Sequence, residues 1–558
     1  MKNILFLILS VILVTTCSVR PRFDVVIKNG TIIDGSGSQR YKADIGIVGD
    51  SIAEIGKIEN SKGKILIDAS GLIVAPGFIN MLSWANESLI ADGRSQSDIR
   101  QGVTLEVLGE GESMGPLNEK MKKNMKEAEG DIKYEITWKT LGQYLEFLEK
   151  KGISTNVASF LGAATPRIYM IGYKNRKPSV NELDSMKLLV RQAMEEGALG
   201  VSSALEYVPA CFASTGELIE LCREAAKYNG MYISHIRDEG DDIFPSLDEL
   251  IKIAKEAGIR SEVYHLKQVG VSNWNKIDEV IQKIDSARSK GIYVTADMYN
   301  YVASSTGLDI IMPAWVQEGG TDEWVKRLSD PAVRKKIAPE IRKAILNKTG
   351  SAEKVLLIGF KNDSLKYLTG KSLAQIAVIR KKSPEETAMD LVMNDKSGAS
   401  VVYFSMSEEN VKKQIALPWV SFCSDAGSYS PEGVFLKSST HPRAYGNFAR
   451  LLGRYVRDEK VISLEEAVHK LSGLPAYNLR IQKRGLIRKG YFADLAIFDA
   501  TKISDHATFE NPRQFSTGVV HVFVNGAQVL RDGEHTGLMP GRFIKGPGFI
   551  PNPTPGIR

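Results

Sequence analysis

Two short apolar runs each end in a histidine: Met231-Tyr232-Ile233-Ser234-His235 and Glu262-Val263-Tyr264-His265. The two histidines are 30 residues apart, which is about the length of one strand–helix–strand unit. Side chains at the carboxyl ends of consecutive parallel strands point into one mouth of a barrel, where a metal site can be assembled. No histidine precedes His235 in the chain, so the sequence predicts a site with few imidazole ligands.

Outward from this pair, strand-like runs alternate with helical patterns, which predicts a (β/α)8 TIM-like barrel of class α/β over residues 73–483. The interval 308–415 is too long for one loop and has helical patterns of its own, so it is predicted to be an inserted helical segment over the barrel mouth. The strand candidates of the barrel are 72–81, 103–108, 156–161, 199–204, 231–235, 261–266, 292–298 and 419–424.

The two ends of the chain share a different pattern. Short β-like runs with Gly and Asn turns occur over 23–72 and again over 484–545. Strands at such spacing are typical of a small β-sandwich. We therefore expect both ends to form one discontinuous β domain beside the barrel.

Composition excludes some classes of partner. The chain has 558 residues, with 43% hydrophobic and 25% charged residues and a net charge of +6. These fractions are ordinary for a globular protein. Basic residues are interspersed with acidic ones, which argues against a nucleic-acid surface. A large domain with a smaller one is the natural expectation at this length.

The N-terminus indicates export. A lysine at position 2 precedes a mostly apolar run over 4–14, as in a secretory signal peptide. Val14-Thr15-Thr16-Cys17 also resembles a bacterial lipobox, although Thr16 departs from the usual Gly, Ala or Ser, so ordinary cleavage nearby is the alternative. We expect an exported bacterial protein, periplasmic or anchored to a membrane only through a lipidated Cys17. The other cysteines are predicted to be free thiols: Cys211, Cys222 and Cys423.

Acidic residues follow two other predicted strands. Glu106, Glu110 and Glu112 lie at the end of the second strand, and Asp425 follows the eighth. Two imidazoles, one glutamate and an open position are suitable for Zn²⁺. A carboxylate beside such an ion can accept a proton from the attacking water.

Several stretches, in their order and combination, resemble the N-acyl-D-amino-acid deacylase (D-aminoacylase) family of the amidohydrolase superfamily. The matching stretches run from about residue 23 to 543. They include Val74-Ala75-Pro76-Gly77-Phe78-Ile79, Ser234-His235-Ile236-Arg237-Asp238-Glu239-Gly240, Asp297-Met298-Tyr299-Asn300-Tyr301 and His441-Pro442-Arg443-Ala444-Tyr445-Gly446.

The resemblance implies a tightly bound metal held by His235, His265 and a ligand from strand two. That ligand is a cysteine in the best-known members, and here Glu110 takes its place, with Glu106 and Glu112 as alternatives. The family pattern Asp-x-His-x-His reads Asn80-Met81-Leu82-Ser83-Trp84 in this chain. Leucine and tryptophan do not bind such cations. One Zn²⁺ is therefore expected, without a second metal, and Trp84 is expected to fill volume or line the acyl pocket.

The resemblance also implies the reaction. A metal-activated water would cleave the amide bond of a small-molecule N-acyl-(D-)amino acid, with Asp425 as general base and then acid. The α-carboxylate would be bound by Lys267, Tyr299, Ser305 and Arg443, while His441 orients the loop. Two alternatives remain: hydrolysis of dipeptide-like or cyclic amides at the same site, and a catalytically inactive lipoprotein that serves as a binding module.

Overall fold

The structure is a computed structural model that describes residues 22–551. The predicted signal peptide and lipobox, residues 1–17, lie outside the described residues. Within 22–551 no helix is long and apolar enough to span a bilayer. Cys211, Cys222 and Cys423 are free thiols, as predicted.

The strands are numbered in chain order. Their bounds are β1 Phe23–Ile32, β2 Tyr41–Val48, β3 Ser51–Gly56, β4 Gly63–Asp68, β5 Ile73–Pro76, β6 Phe78–Asn80, β7 Val103–Leu108, β8 Asn156–Ser159, β9 Leu161–Gly162, β10 Gly200–Ala204, β11 Met231–His235, β12 Arg260–Val263, β13 Val294–Met298, β14 Ser304–Gly307, β15 Val355–Gly359, β16 Ser400–Tyr403, β17 Val420–Phe422, β18 Leu495–Phe498, β19 Val519–Val524, β20 Ala527–Arg531 and β21 Glu534–His535.

The α-helices are numbered in the same way, and a π-helical segment, Leu451–Asp458, follows α16. Their bounds are α1 Ser88–Ala91, α2 Gln96–Ile99, α3 Glu119–Ala128, α4 Leu141–Lys151, α5 Ala164–Ile171, α6 Val180–Glu196, α7 Thr215–Ala226, α8 Ile243–Ala257, α9 Ile277–Ser289, α10 Ala314–Gln317, α11 Thr321–Leu328, α12 Pro331–Thr349, α13 Leu373–Arg380, α14 Pro384–Asp395, α15 Glu408–Ile415, α16 Arg443–Arg450, α17 Leu464–Leu471 and α18 Gly473–Asn478.

Eight parallel strands close into a barrel in the order β6, β7, β8, β10, β11, β12, β13 and β17. Main-chain hydrogen bonds join its two sheets at both junctions. The Leu199 N–H donates to the Ser159 carbonyl at 2.9 Å, and the Met81 N–H donates to the Phe422 carbonyl at 3.2 Å. The predicted (β/α)8 fold is therefore confirmed.

Helix α6 shows how the sequence sets the crossovers. Ser179 and Glu182 form a capping box at its start, which satisfies two main-chain donors that the helix itself leaves unpaired. Gly197 directly follows the helix as its C-cap residue. Its φ is +108°, a conformation that glycine adopts readily. Met186 and Val190 are buried and pack into the main apolar core.

The predicted strand over 72–81 is two strands separated at Gly77. β5 belongs to a nine-stranded sheet, whereas β6 is the first barrel strand. A Cβ on Gly77 would lie 2.2 Å from the Thr104 hydroxyl oxygen, so only glycine allows the chain to pass this close to β7. The single-strand prediction was wrong because an apolar run does not show which sheet each half joins.

Strands from both ends of the chain share that nine-stranded sheet. Its path is β21-β20-β19-β18-β5-β1-β2-β3, with β4 paired to β1. β18 is antiparallel to β5, so the two ends meet in the middle of the sheet. The bounds 23–72 and 484–545 of the small domain stay a prediction.

The segment between β13 and β17 has its own core. Five helices, α10 to α14, surround the three-stranded sheet β14-β16-β15, a sheet that the sequence did not predict. Leu308, Ile341 and Val401 are among the buried residues of a separate apolar cluster. Helix α12 carries Lys348 to the barrel mouth, where the site lies.

Candidate metal centre and active site

Glu110 lies in the turn after β7, between two glycines with positive φ. The φ of Gly109 is +96° and that of Gly111 is +67°, which residues with a Cβ rarely adopt. A Cβ on Gly109 would lie 2.3 Å from the Phe160 carbonyl oxygen, and one on Gly111 would lie 2.5 Å from the Ala204 Cβ. The glycines therefore let this turn pass close to the next strands.

The two histidines are held differently. His235 ends β11, as predicted, whereas β12 ends at Val263, two residues before His265. The φ of His265 is +34°, a strained value for a residue with a side chain. Its N–H donates to Asp297 Oδ1 at 2.7 Å. The prediction that a strand ends at His265 is wrong, and a carboxylate on β13 holds the turn.

Glu110 and both imidazoles converge on one point. Glu110 Oε1 lies 3.1 Å from His235 Nδ1 and 3.0 Å from His265 Nε2. All three side chains are buried, and one donor atom from each lies within 4.8 Å of the others. Two imidazole nitrogens and one carboxylate oxygen with an open fourth position suit Zn²⁺. The residues therefore fit the ion that the sequence predicted.

The ionised carboxylates around this cluster favour positive charge on the imidazoles. Burial opposes ionisation, but hydrogen bonds from His235 and His265 hold the pKa of Glu110 well below its ordinary value. Burial and Lys267 disfavour a charged His265, yet Glu239 and Glu110 raise its pKa to about 10. A metal ion that binds here must displace protons from the imidazoles, because only the neutral ring is a ligand.

Neither alternative glutamate lies in this cluster. Glu106 is buried inside the barrel, where its two oxygens accept hydrogen bonds from the hydroxyls of Ser83 and Thr155, both at 2.7 Å. Glu112 is exposed and lines the cavity at the barrel mouth. Of the three glutamates, the structure brings only Glu110 to the histidines.

A second carboxylate group lies behind the histidines. Glu206 Oε2 is 3.2 Å from His235 Nε2, and Glu239 Oε1 is 3.1 Å from His265 Nδ1. Each carboxylate is paired with a lysine: Lys348 with Glu206 and Lys267 with Glu239, both at 2.7 Å. Since ammonium groups already balance this acidic pair, the Glu110 cluster is the better candidate for a metal site. Such outer partners orient metal ligands.

Asp425 lies beside the metal cluster with both oxygens engaged. Arg443 Nη2 is 2.8 Å from Asp425 Oδ2, and Trp84 Nε1 donates to Asp425 Oδ1 at 3.1 Å. The same indole nitrogen donates to Glu110 Oε2 at 3.0 Å. Burial raises the pKa of Asp425, against the opposing charge of Arg443. Its φ is +47°, which again marks strain at the site.

The four predicted carboxylate-binding residues are not equivalent. The guanidinium of Arg443 lies over the Tyr299 ring, 4.3 Å from the ring centre, and its Nε and Nη1 are buried without a hydrogen-bond partner in the described chain. Lys267 is engaged by Glu239, and the Ser305 hydroxyl donates to the Val401 carbonyl at 2.9 Å. Arg443 therefore has the free donors that an anion would need.

His441 holds this arginine in place. Its Nδ1 accepts from the Arg443 N–H at 3.0 Å, and its Nε2 lies 3.0 Å from the Ala303 carbonyl. Burial lowers the pKa of His441 far below its ordinary value. A neutral ring that accepts at Nδ1 and donates from Nε2 satisfies both contacts, in line with the predicted orienting role.

These residues line one cavity of about 590 Å³. Its walls include the aromatic rings of Trp84, Tyr207 and Tyr403 together with residues of the inserted segment. A volume of this size suits a small molecule.

Sequence reasoning missed several contributors. Glu239 is four residues after His235 within a motif already matched, and that spacing was an available signal. No sequence signal pointed to Glu206 and Lys348, because their ion pair joins positions 142 residues apart. Trp84 was expected to fill volume or line the acyl pocket, and it does line the cavity, but the hydrogen bonds of its indole N–H to Glu110 and Asp425 were not foreseen.

The chain is similar to several known proteins. The model of the amidohydrolase family matches residues 438–530. The D-aminoacylase of Alcaligenes xylosoxydans xylosoxydans is 32% identical over 94% of this chain and 97% of its own length. A solved structure of a D-aminoacylase, described as having a binuclear metal centre with one-metal activation and second-metal attenuation, has a TM-score of 0.77 at 30% identity, covering 94% of this chain and 100% of its own.

A second solved structure has a similar fold. The N-acyl-D-glutamate deacylase of Bordetella bronchiseptica, complexed with zinc and a phosphonate that mimics the tetrahedral intermediate, has a TM-score of 0.77 at 28% identity and covers 94% of this chain and 100% of its own. The shared barrel fold and an identity of 32% over nearly the whole length show the family. The chain belongs to the N-acyl-D-amino-acid deacylase (D-aminoacylase) family of the amidohydrolases.

Proposed function

We propose that this protein hydrolyses the amide bond of N-acyl-D-amino acids, releasing a free amino acid and a carboxylic acid. The observation that carries the proposal is the position of Asp425, which lies beside the Glu110–His235–His265 cluster and is bound to Arg443. The candidate zinc ligands, the proton acceptor Asp425 and the carboxylate-binding Arg443 thus line one cavity.

Glu110, His235 and His265 would hold a single Zn²⁺. When bound, that ion acts as a Lewis acid on the scissile carbonyl and lowers the pKa of the attacking water. The proposal of one ion rests on the turn just after the first barrel strand, where Leu82 is buried and offers no ligand atom. The similar D-aminoacylase structure is described as having a binuclear metal centre. The number of ions that this chain binds should therefore be measured.

Asp425 would accept the proton of the attacking water at Oδ1 or Oδ2 and then deliver it to the leaving amine. A general base acts only when ionised, and burial raises the pKa of Asp425. The guanidinium of Arg443 at 2.8 Å opposes this rise and fixes the carboxylate in orientation.

Arg443 would bind the substrate carboxylate through Nε or Nη1, guanidinium donors that no group of the described residues uses. A charge-assisted hydrogen bond from a guanidinium suits a carboxylate. The guanidinium of Arg443 stacks on the Tyr299 ring, which helps to fix its position. The D configuration proposed for the substrate is taken from the named relatives, which act on D-amino acid derivatives.

Export is a separate proposal. The sequence of residues 1–17, with its apolar run and Cys17, supports a lipoprotein of a bacterial envelope. Substitution Cys17→Ser should move the protein from the membrane fraction to the soluble fraction. Equal membrane content in both forms would refute lipidation at Cys17.

The activity test measures released amine from N-acetyl-D- and N-acetyl-L-amino acids, together with the zinc content of the purified protein. We expect zinc-dependent turnover of D substrates, and a loss of roughly 10³-fold or more in Asp425→Asn with zinc retained. Asp278→Asn changes an exposed carboxylate and serves as the control. A zinc-loaded protein that cleaves no N-acyl amino acid would refute the proposal and favour an inactive binding module.

A further inference from the structure

Trp84 connects the metal cluster to the general base through one atom. Its Nε1 lies 3.0 Å from Glu110 Oε2 and 3.1 Å from Asp425 Oδ1. The main-chain N–H of Trp84 also donates to the Ala426 carbonyl at 3.0 Å. The residue is therefore fixed at its backbone and at its ring nitrogen, on the side of the barrel where β6 meets β17.

The indole nitrogen occupies a position of strong negative potential. Oxygens of Glu110 and Asp425 share its single N–H, so two carboxylates lie within hydrogen-bond distance of one donor. Two carboxylates this close need a cation or a shared hydrogen-bond donor between them. An indole N–H is a donor only and does not ionise, so it meets that need without adding a charge or a metal ligand.

The rest of the ring has a different environment. Trp84 is 44% exposed and lines the cavity, so its face is accessible to a small molecule there. The N–H acts on the buried carboxylates, whereas the ring face offers apolar contact. A substitution that keeps a ring but removes the N–H separates the two effects.

We propose that Trp84 is a positioning residue that takes the place of a second divalent cation. Its N–H holds Asp425 Oδ1 and Glu110 Oε2 in the arrangement that one-metal hydrolysis requires. It also occupies the space between these carboxylates, which are the groups a second ion would need. Excess metal therefore does not load a second ion in this chain. The part concerning Asp425 rests on the proposed function.

The first experiment compares Trp84→Phe with Trp274→Phe. The control removes an indole N–H that donates to a main-chain carbonyl, that of Ser405, at 2.9 Å, outside the cavity. We expect Trp84→Phe to lower kcat by roughly 10- to 100-fold, the size of one hydrogen bond to a charged group. KM should change less than about twofold because a ring remains on the cavity wall. An unchanged kcat, or an equal fall in the control, overturns the positioning role.

The second experiment counts metal ions and does not depend on activity. Wild-type protein, Trp84→Phe and Trp84→His are dialysed against rising zinc concentrations, and bound zinc per folded chain is measured by mass spectrometry. We expect one tightly bound ion in the wild type at all concentrations and a second ion in Trp84→His, which gains a ligand atom beside the two carboxylates. Two ions in the wild type, none in it, or one in both proteins overturns the exclusion of a second ion.

The two measurements keep the proposals apart. A wild type that binds one ion, excludes a second and cleaves no N-acyl amino acid refutes the proposed function and leaves the ion exclusion standing. A wild type that is active and takes up a second ion refutes the exclusion and leaves the function standing.

Discussion

Arg443 Nη2 lies 2.8 Å from Asp425 Oδ2, with both side chains almost fully buried. One guanidinium thus fixes the proposed general base and keeps two further donors for a ligand. Substrate recognition and proton transfer are therefore coupled through a single residue of helix α16.

Arg443→Lys should raise KM and lower kcat together. Lysine keeps the charge but lacks the planar fork that reaches Asp425 and a carboxylate at once. We expect kcat/KM to fall roughly 100-fold or more, measured by steady-state kinetics on the best N-acyl-D-amino acid. Arg450→Lys on the same helix, whose guanidinium pairs with Asp505, is the control. A normal KM in Arg443→Lys would show that the carboxylate binds elsewhere.

Glu110→Gln should weaken zinc binding. The amide replaces a charged oxygen ligand by a neutral one and adds N–H donors near two imidazoles. We expect zinc affinity to fall by at least roughly 100-fold, measured by competition with a chromogenic chelator. Glu112→Gln, an exposed neighbour in the same turn, should bind zinc as the wild type does. The reverse result would assign the ligand to Glu112.

Lys348→Met should loosen the inserted segment. The Lys348–Glu206 ion pair, at 2.7 Å, ties helix α12 to the barrel mouth, and breaking a half-buried pair costs roughly 1–2 kcal/mol. We expect faster amide hydrogen exchange over residues 331–349 and a KM raised several-fold. Lys343→Met changes an exposed position on the same helix. Identical exchange in both variants would mean that the ion pair does not restrain the segment.

Stability should depend on pH through Lys470. Its side chain is 1% exposed, and burial lowers its pKa to about 8, whereas an unfolded lysine has a pKa of about 10.4. Between these values the unfolded state binds more protons, so the free energy of unfolding rises as pH rises from about 8 toward 10. Below pH 8 the folded state is less stable by an amount on the order of 3 kcal/mol.

Lys470→Met removes this buried ionisable group. We expect the variant to be more stable than the wild type at pH 7 and to lose most of the difference near pH 10, as measured by urea unfolding. Lys489→Met, at an exposed position, should follow the wild-type curve. A wild-type stability that does not rise above pH 8 would contradict a lowered pKa of Lys470.

The barrel could be predicted because its signals are local. Alternating apolar runs and helical patterns mark strands and crossovers, and β7 and β11 begin and end where the sequence predicted. The spacing of His235 and His265 follows from one strand–helix–strand unit. Where the prediction failed, at Gly77 and after Val263, the chain leaves one sheet or enters a turn because of contacts with distant strands, which an apolar run does not encode.

The sequence by itself determined the fold class, the histidine pair and the kinds of acid beside it, since these depend on periodicity and residue type. Only the tertiary structure decided which glutamate reaches the histidines, and that Arg443 holds Asp425. It also decided the role of Trp84, whose N–H contacts an aspartate 341 residues further along the chain. Such pairings depend on side-chain direction at the closed barrel mouth, where distances of about 3 Å between groups on different strands set the chemistry.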